Sequence, residues 1–343
     1  MLRIGFKASM VAAVAAAGVL AACSSGGGST SSSAVPAPTT SSAPTTSAAP
    51  KDITIGVSFY TERIPIYATM HEGVQAKADE LGVTVVFADA DGQAAIQSDQ
   101  LANFVTKGVA AIICSPADAT ALVPAYKAAR DAGVFMISAG NKVADDQEDA
   151  FVGPDLVDYA KQTMDKLIAA MGGKGDLMIV SGPPQIAFVQ LQQKGWDASL
   201  AAHPDVKVVA TGVVDDLSPA KALDVATSLL SANPGVKGIM SSTDNISVGV
   251  IQAMEGLGID PASIATAGWD AQEDAVKLVT EGKYTLTLSY LAYTWGEVAL
   301  QTAVDMVNGK MPEGHYVSTP GLFIDKANAS TLTPDQISGK TAL

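Results

Sequence analysis

The side chains best suited to chemistry in this chain stand at the ends of short apolar runs. Ile264 to Asp270 reads Ile-Ala-Thr-Ala-Gly-Trp-Asp and closes on a carboxylate beside an indole. A carboxylate accepts hydrogen bonds from vicinal hydroxyls, and an indole offers a flat face to C–H groups. Together they suit recognition of a neutral, hydroxylated small molecule. Thr243-Asp244-Asn245 and Gly140-Asn141 follow other apolar runs in the same way. Each has a plainer reading. Asp244 and Asp270 are also good residues to cap a following helix, and the two roles are compatible. Trp269 alternates away from Asp270 along a strand and so can face the core. Tyr67 is either a ring at the site or the first core residue of its helix. Arg63 is either half of a surface ion pair with Glu62 or a forked donor to ligand oxygens.

Catalytic chemistry has few candidates. Cys114 ends the apolar run Val109–Cys114 and reads as a small buried hydrophobe. His71, His203 and His315 are scattered, with no spacing that suits a metal. The glycines form neither a dinucleotide fingerprint nor a phosphate loop, and Ser181-Gly182-Pro183-Pro184 is not one. Composition alone leaves a pair of carboxylates open. The expectation is a binding protein, not an enzyme, with no cofactor and no metal.

The elements that must position these residues alternate regularly. From Asp52 onward, apolar strands such as Ile53–Ser58, Val109–Cys114, Leu177–Ser181 and Ile264–Gly268 are each followed by a stretch with helical spacing. Such alternation implies right-handed β-α-β units and parallel sheets covered on both faces. There are more strands than one sheet holds comfortably, so two lobes with a cleft are expected. The polar stretch Asn141–Pro154 reads as the break between them. In parallel sheets the cleft lies outside the carboxyl ends of the strands, where Asp270, Asp244 and Asn141 fall.

The first 22 residues have a basic start, Arg3 and Lys7, an apolar stretch Ala8–Leu20, and then Leu20-Ala21-Ala22-Cys23. That order describes a secretion signal, and its last four residues resemble a lipobox with Cys23 as the lipidated residue. Residues 23–51 are a Ser/Thr/Pro-rich stretch expected to be a disordered tether. The net charge is −14, and −16 once Arg3 and Lys7 are removed. A chain this acidic repels phosphate backbones, which excludes nucleic acid as a natural partner.

From Asp52 to about Asp325 the chain resembles the periplasmic substrate-binding proteins of the ribose-binding type. The resemblance rests on Pro65-Ile66-Tyr67, a strand ending at Asp89, Ile112-Ile113-Cys114-Ser115-Pro116-Ala117-Asp118, Ile137-Ser138-Ala139-Gly140-Asn141, Gly195-Trp196, Thr243-Asp244-Asn245, Gly268-Trp269-Asp270 and Gly282-Lys283, in that order. It implies an α/β fold of two Rossmann-like lobes with parallel sheets, joined by a three-crossover hinge. By that resemblance residues 52–153 and 291–317 form the N-terminal lobe, and 154–290 and 318–343 the C-terminal lobe. The crossovers are expected near Gly153–Pro154, Tyr290–Ala292 and Val317–Pro320.

Carried over by position, the family's ligand contacts fall on Tyr60, Glu62, Arg63, Ile66, Tyr67, Asn141, Gln190, Leu217, Thr243, Asp244, Asp270 and Tyr290. Gly140 and Asp216 stand beside them. The chain departs from ribose receptors at Gly140-Asn141, where they carry Asp-Arg, at Gln190 in place of Arg, at Thr243 in place of Asn, and at Tyr290 in place of Gln. The implied function is an extracytoplasmic receptor that binds a sugar or sugar alcohol and delivers it to an ABC permease. It would be anchored to the membrane through Cys23 and act as a monomer. The alternative is a sensing lipoprotein that presents a sugar or furanosyl autoinducer to a membrane kinase or chemoreceptor.

Overall fold

A computed structural model describes residues 53–184 and 186–343; the signal segment, Cys23 and the tether lie outside the described residues. In chain order the first elements are β1 (Thr54–Phe59), α1 (Pro65–Leu81), β2 (Thr84–Asp89), α2 (Ala94–Thr106), β3 (Ala111–Cys114), α3 (Val123–Asp131), β4 (Phe135–Ala139) and β5 (Ala150–Gly153). There follow α4 (Leu156–Ala170), β6 (Gly175–Ser181), α5 (Ala187–Ala202), β7 (Val206–Val213), α6 (Pro219–Ala232), β8 (Gly238–Ser241), α7 (Asp244–Gly256), β9 (Ala265–Trp269), α8 (Glu273–Thr280) and β10 (Leu286–Ser289). The chain ends with α9 (Ala292–Val307), β11 (Tyr316–Ser318), β12 (Leu322–Asp325) and α10 (Pro334–Ser338).

Local chemistry sets many of these boundaries. Pro65 opens α1, where its fixed φ suits the first turn and its missing N–H costs nothing. Gly82 closes α1 in the left-handed conformation at φ +67°, with its N–H on the Ala78 carbonyl. Thr243 caps α7 and Ser218 caps α6 by accepting backbone N–H bonds.

Two six-stranded sheets result, in the orders β11-β5-β4-β3-β1-β2 and β12-β10-β9-β8-β6-β7. All neighbours are parallel except β12, which runs antiparallel to β10. Each sheet has an apolar cluster on both faces. Ile55, Val57 and Ile137 lie under α1 and α9, and Ile112 and Met136 lie under α2 and α3. Met178 and Ile239 pack under α6 and α7, and Ile179 and Leu286 against α4. The strand order reverses between β1 and β3 in one lobe and between β6 and β8 in the other. These are the switch points at which open α/β sheets bind ligands.

The chain passes from the first sheet to the second after Gly153, returns after Ser289, and passes again between Ser318 and Leu322. Helices α1 and α9 pack closely in the first lobe, as do α4 with α5 and α6 with α7 in the second.

The sequence reading places no strand in Asn141–Pro154, yet Ala150–Gly153 is β5, buried throughout and paired with β4. Four apolar residues after Asp145, Asp146, Glu148 and Asp149 leave no periodicity to detect. Strands β11 and β12 are equally short. After β12, the last residues also touch the first lobe: Lys340 Nζ reaches Glu72 of α1 at 3.1 Å, and Thr294 Oγ1 of α9 donates to the Gly339 carbonyl at 3.0 Å.

Candidate ligand-binding cleft

The first lobe contributes the loop after β1, the start of α1 and the end of β4. Tyr60 and Tyr67 stack at a tilt with ring centroids 6.1 Å apart, and Phe59 lies at the same distance from Tyr67. Burial pushes the Tyr67 pKa up to about 12, and the nearby Asn141 side chain offsets part of that rise. Asn141 Nδ2 also approaches the Pro116 carbonyl at 3.4 Å. Gly140 precedes Asn141 at φ +92°, a left-handed backbone that favours glycine, and packs beside the Trp295 ring. The indole of Trp295 donates to the Val152 carbonyl at 2.9 Å, which ties α9 to β5 beneath the cleft.

Glu62 and Arg63 do not pair with each other. Glu62 bonds His71 at 2.9 Å, and Arg63 pairs with Asp91 beyond the end of β2. The Arg63 side chain is 73% exposed, so this pair is worth little to stability and leaves the guanidinium free to turn. Arg130 pairs with Asp149 at 2.9 Å on the far side of the lobe.

The second lobe contributes the ends of β8, β9 and β10. Asp244 opens α7 but is fully buried, and its carboxylate turns into the lobe. It accepts from Tyr284 Oη at 3.0 Å, Thr287 Oγ1 at 2.9 Å and the Gln272 N–H at 3.1 Å. Asp270 follows β9 with φ +105°, and Ala271 with φ +51°. Non-glycine residues are strained in that region, and such strain concentrates at functional sites. Two bonds from β10 hold the turn: the Asp270 N–H donates to the Leu288 carbonyl at 2.8 Å, and the Ala271 N–H to Thr287 Oγ1 at 3.2 Å. The Asp244 backbone N–H, at the start of α7, partly offsets the rise in the Asp270 pKa. The Asp270 carboxyl thus faces the start of the preceding helix α7, where the sequence suggests a cap on the following one.

Burial raises both carboxyl groups, Asp244 to about 7, and the Asp244 charge raises Asp270 further. A carboxyl with a raised folded-state pKa holds its proton more tightly folded than unfolded. Its stabilising effect is therefore complete below the ordinary carboxylate pKa and is lost as pH rises through the folded value. Thermal unfolding without ligand is expected to show a lower midpoint at pH 8 than at pH 5, and Asp244→Asn to shrink that difference. A midpoint that rises from pH 5 to pH 8 would contradict this.

Tyr290 occupies the passage between the lobes. Its ring lies 6.0 Å from Trp269 and 6.3 Å from Trp295, and burial followed by the Asp270 charge raises its pKa. Trp269 itself is fully buried in the second lobe's core, so it presents no face to the cleft. Thr243 is buried and spends its hydroxyl on the Ile246 N–H at 3.4 Å. Leu217 sits at φ +56° against Gly182. Gln190 is exposed on α5 and donates to the Pro184 carbonyl at 3.1 Å. Asp216 accepts from the Ser218 N–H at 3.0 Å, which helps hold its carboxyl below the usual range.

A cavity of about 480 Å³ joins the two walls. Ile66, Asp270 and Tyr290, all expected from the sequence, line it, whereas Tyr60, Tyr67 and Asn141 form a first-lobe cluster outside its lining. Thr69, Gln272 and Ile337 also line it and were not anticipated. Thr69 is one helical turn beyond Pro65–Ile66. Ile337 follows Thr333-Pro334-Asp335-Gln336, a capping box legible in sequence as a helix start. Among the described residues no group of three His, Cys, Asp or Glu side chains could hold a metal ion.

Two doubly wound lobes, linked by chain crossings and facing each other across a small, mainly apolar cavity with a few polar side chains, define the class of two-lobed solute-binding proteins. The family model described as "Periplasmic binding protein domain" matches residues 55–311, and the chain belongs to that family, whose members are binding proteins and not enzymes. The chain is 24% identical over 282 residues to the ribose import binding protein RbsB of Escherichia coli strain K12, covering 82% of this chain and 94% of that one. It is 28% identical over 254 residues to the D-allose-binding periplasmic protein of the same organism, covering 70% of this chain and 80% of that one. A crystal structure of a periplasmic ribose ABC transporter from Conexibacter woesei DSM 14684 superposes with a TM-score of 0.79 at 26% identity, covering 82% and 95% of the two chains.

Proposed function

We propose that this chain is an extracytoplasmic receptor that closes its lobes on a sugar or sugar alcohol and delivers it to an ABC importer. The observation that carries this reading is the placement of Asp270. Its strained turn delivers a carboxyl group to the cavity wall beside Tyr290, across from Ile66 of the other lobe. A carboxyl group accepts hydrogen bonds from adjacent hydroxyls, and the phenol both donates and accepts. The departures from ribose receptors at Asn141, Gln190, Thr243 and Tyr290 favour a different polyol or a deoxysugar over ribose. In the same reading Tyr60, Tyr67, Asn141 and Arg63, which stand outside this cavity's lining, contact the ligand from the first lobe on closure. In this reading residues 52–153 and 291–317 move as one body against 154–290 and most of 318–343, by hinge closure.

Thermal shift against a panel of pentoses, hexoses, deoxysugars and polyols is expected to find stabilising members. Stabilisation by an amino acid or nucleoside alone would overturn the substrate class.

The lipobox-like Leu20-Ala21-Ala22-Cys23 further supports a membrane anchor, with residues 24–51 as the spacer. Expressed in its bacterial host, the chain is expected in the membrane fraction and the Cys23→Ser variant outside it. Equal membrane retention of both would refute the anchor.

A further inference from the structure

The cavity beside Asp270 is lined by two kinds of surface. Asp270, Ser289, Tyr290 and four further polar side chains, Glu273 among them, supply oxygens. Ile64, Val276, Leu332 and Ile337 supply only aliphatic surface. A ligand hydroxyl placed against these four would lose water and find no partner among them, which is costly. An apolar group there would instead release water from both surfaces.

The aliphatic lining is built, not incidental. Leu332 and Ile337 pack on Ala271, Ala275, Val279 and Tyr284 of the second lobe. The Ile337 carbonyl accepts from Ser289 Oγ at 2.6 Å, directly beside Tyr290. The tail then reaches the first lobe through Gly339 and Lys340. Ile64 comes from the opposite lobe, lines the same cavity and is 42% exposed, so its apolar surface is open to a ligand.

We propose that the ligand is a sugar or sugar alcohol carrying an apolar substituent. Its hydroxyls are held by Asp270 and Tyr290, and the substituent lies against Ile64, Val276 and the tail residues Leu332 and Ile337. This rests on the reading of the chain as a sugar or polyol receptor and adds the selecting role of the C-terminal tail.

The test is calorimetric titration of the mature chain with D-ribose, D-xylose, D-allose, xylitol and myo-inositol, each beside its butyl and phenyl glycoside or ether. At least one derivative is expected to bind about tenfold or more tightly than its parent. Ile64→Ser and Ile337→Ser are each expected to shrink that ratio. Ile64 is exposed enough that its replacement leaves the fold intact, so a folding defect at Ile337 cannot hide the result. Parents that bind as tightly as their derivatives, or a ratio unchanged in both variants, would overturn the inference and leave the receptor reading standing. Failure of every parent and derivative, with an amino acid or nucleoside bound instead, would overturn both.

Discussion

Asp270→Ala is expected to abolish ligand binding while the protein stays folded. The carboxyl group stands on the cavity wall beside Ser289 and Tyr290, and in the proposed reading it is the acceptor for the ligand hydroxyls. Losing hydrogen bonds to such a group costs about 3 kcal/mol or more, or roughly a hundredfold in affinity. The cost to the fold is smaller, because two effects oppose. The start of α7 loses a facing carboxyl group, worth up to about 1 kcal/mol. The buried Asp244 carboxyl meanwhile loses the like charge that bears on Asp270. Asp270→Gly separates the side chain from the backbone. Glycine adopts φ +105° without strain, so this variant should be at least as stable as Asp270→Ala and equally unable to bind. Calorimetry with the best ligand of the panel, alongside circular dichroism, decides the matter. Near-native affinity in either variant would remove Asp270 from the site.

Gly296→Val is expected to be the most damaging single change outside the cleft. Gly296 of α9 and Gly73 of α1 lie where the two helices cross. A Cβ on Gly296 would run into the Met70 carbonyl, and one on Gly73 into the Tyr293 carbonyl. Both obstacles are backbone, so no rotamer change relieves them and the helices must part. Overpacking of this kind costs about 3 kcal/mol or more, or on the order of ten degrees in unfolding midpoint. Trp295 is the neighbouring residue, so separation would also disturb its bond to the Val152 carbonyl beneath the cleft. Gly256→Ala is the control. It ends α7 with open space around it and should be neutral or slightly stabilising. Equal midpoints for the two variants in a thermal scan would refute the close-crossing argument.

Much of the fold was legible because its signals are local. The alternation of apolar strands and helical stretches, with Pro65 and Gly82 as punctuation, gives two parallel sheets. Asp270 was legible for the same reason, as the first polar residue after the apolar run that becomes β9. What escaped depends on partners distant in sequence. Nothing near Asp244 announces that Tyr284 and Thr287 will enclose its carboxylate. A residue named for the cleft is accordingly found behind it, supporting the turn that presents Asp270. The Arg63 pairing with Asp91 is similar: adjacency suggested Glu62, but β1 and β2 end side by side and bring Asp91 closer. The tail escaped because a five-residue helix carries too few apolar positions to reveal which surface it covers.

The placement of Tyr290 has a practical consequence. Of the three tryptophans in the chain, Trp269 and Trp295 flank this ring from opposite lobes, whereas Trp196 is sealed in the second lobe's core. A molecule that touches Tyr290, or a closure that moves the lobes around it, alters the surroundings of two emitters and leaves the third as an internal standard. The intrinsic ultraviolet emission of the unlabelled protein is thus an optical gauge of cleft occupancy, and Trp196→Phe lowers its background without touching the cleft.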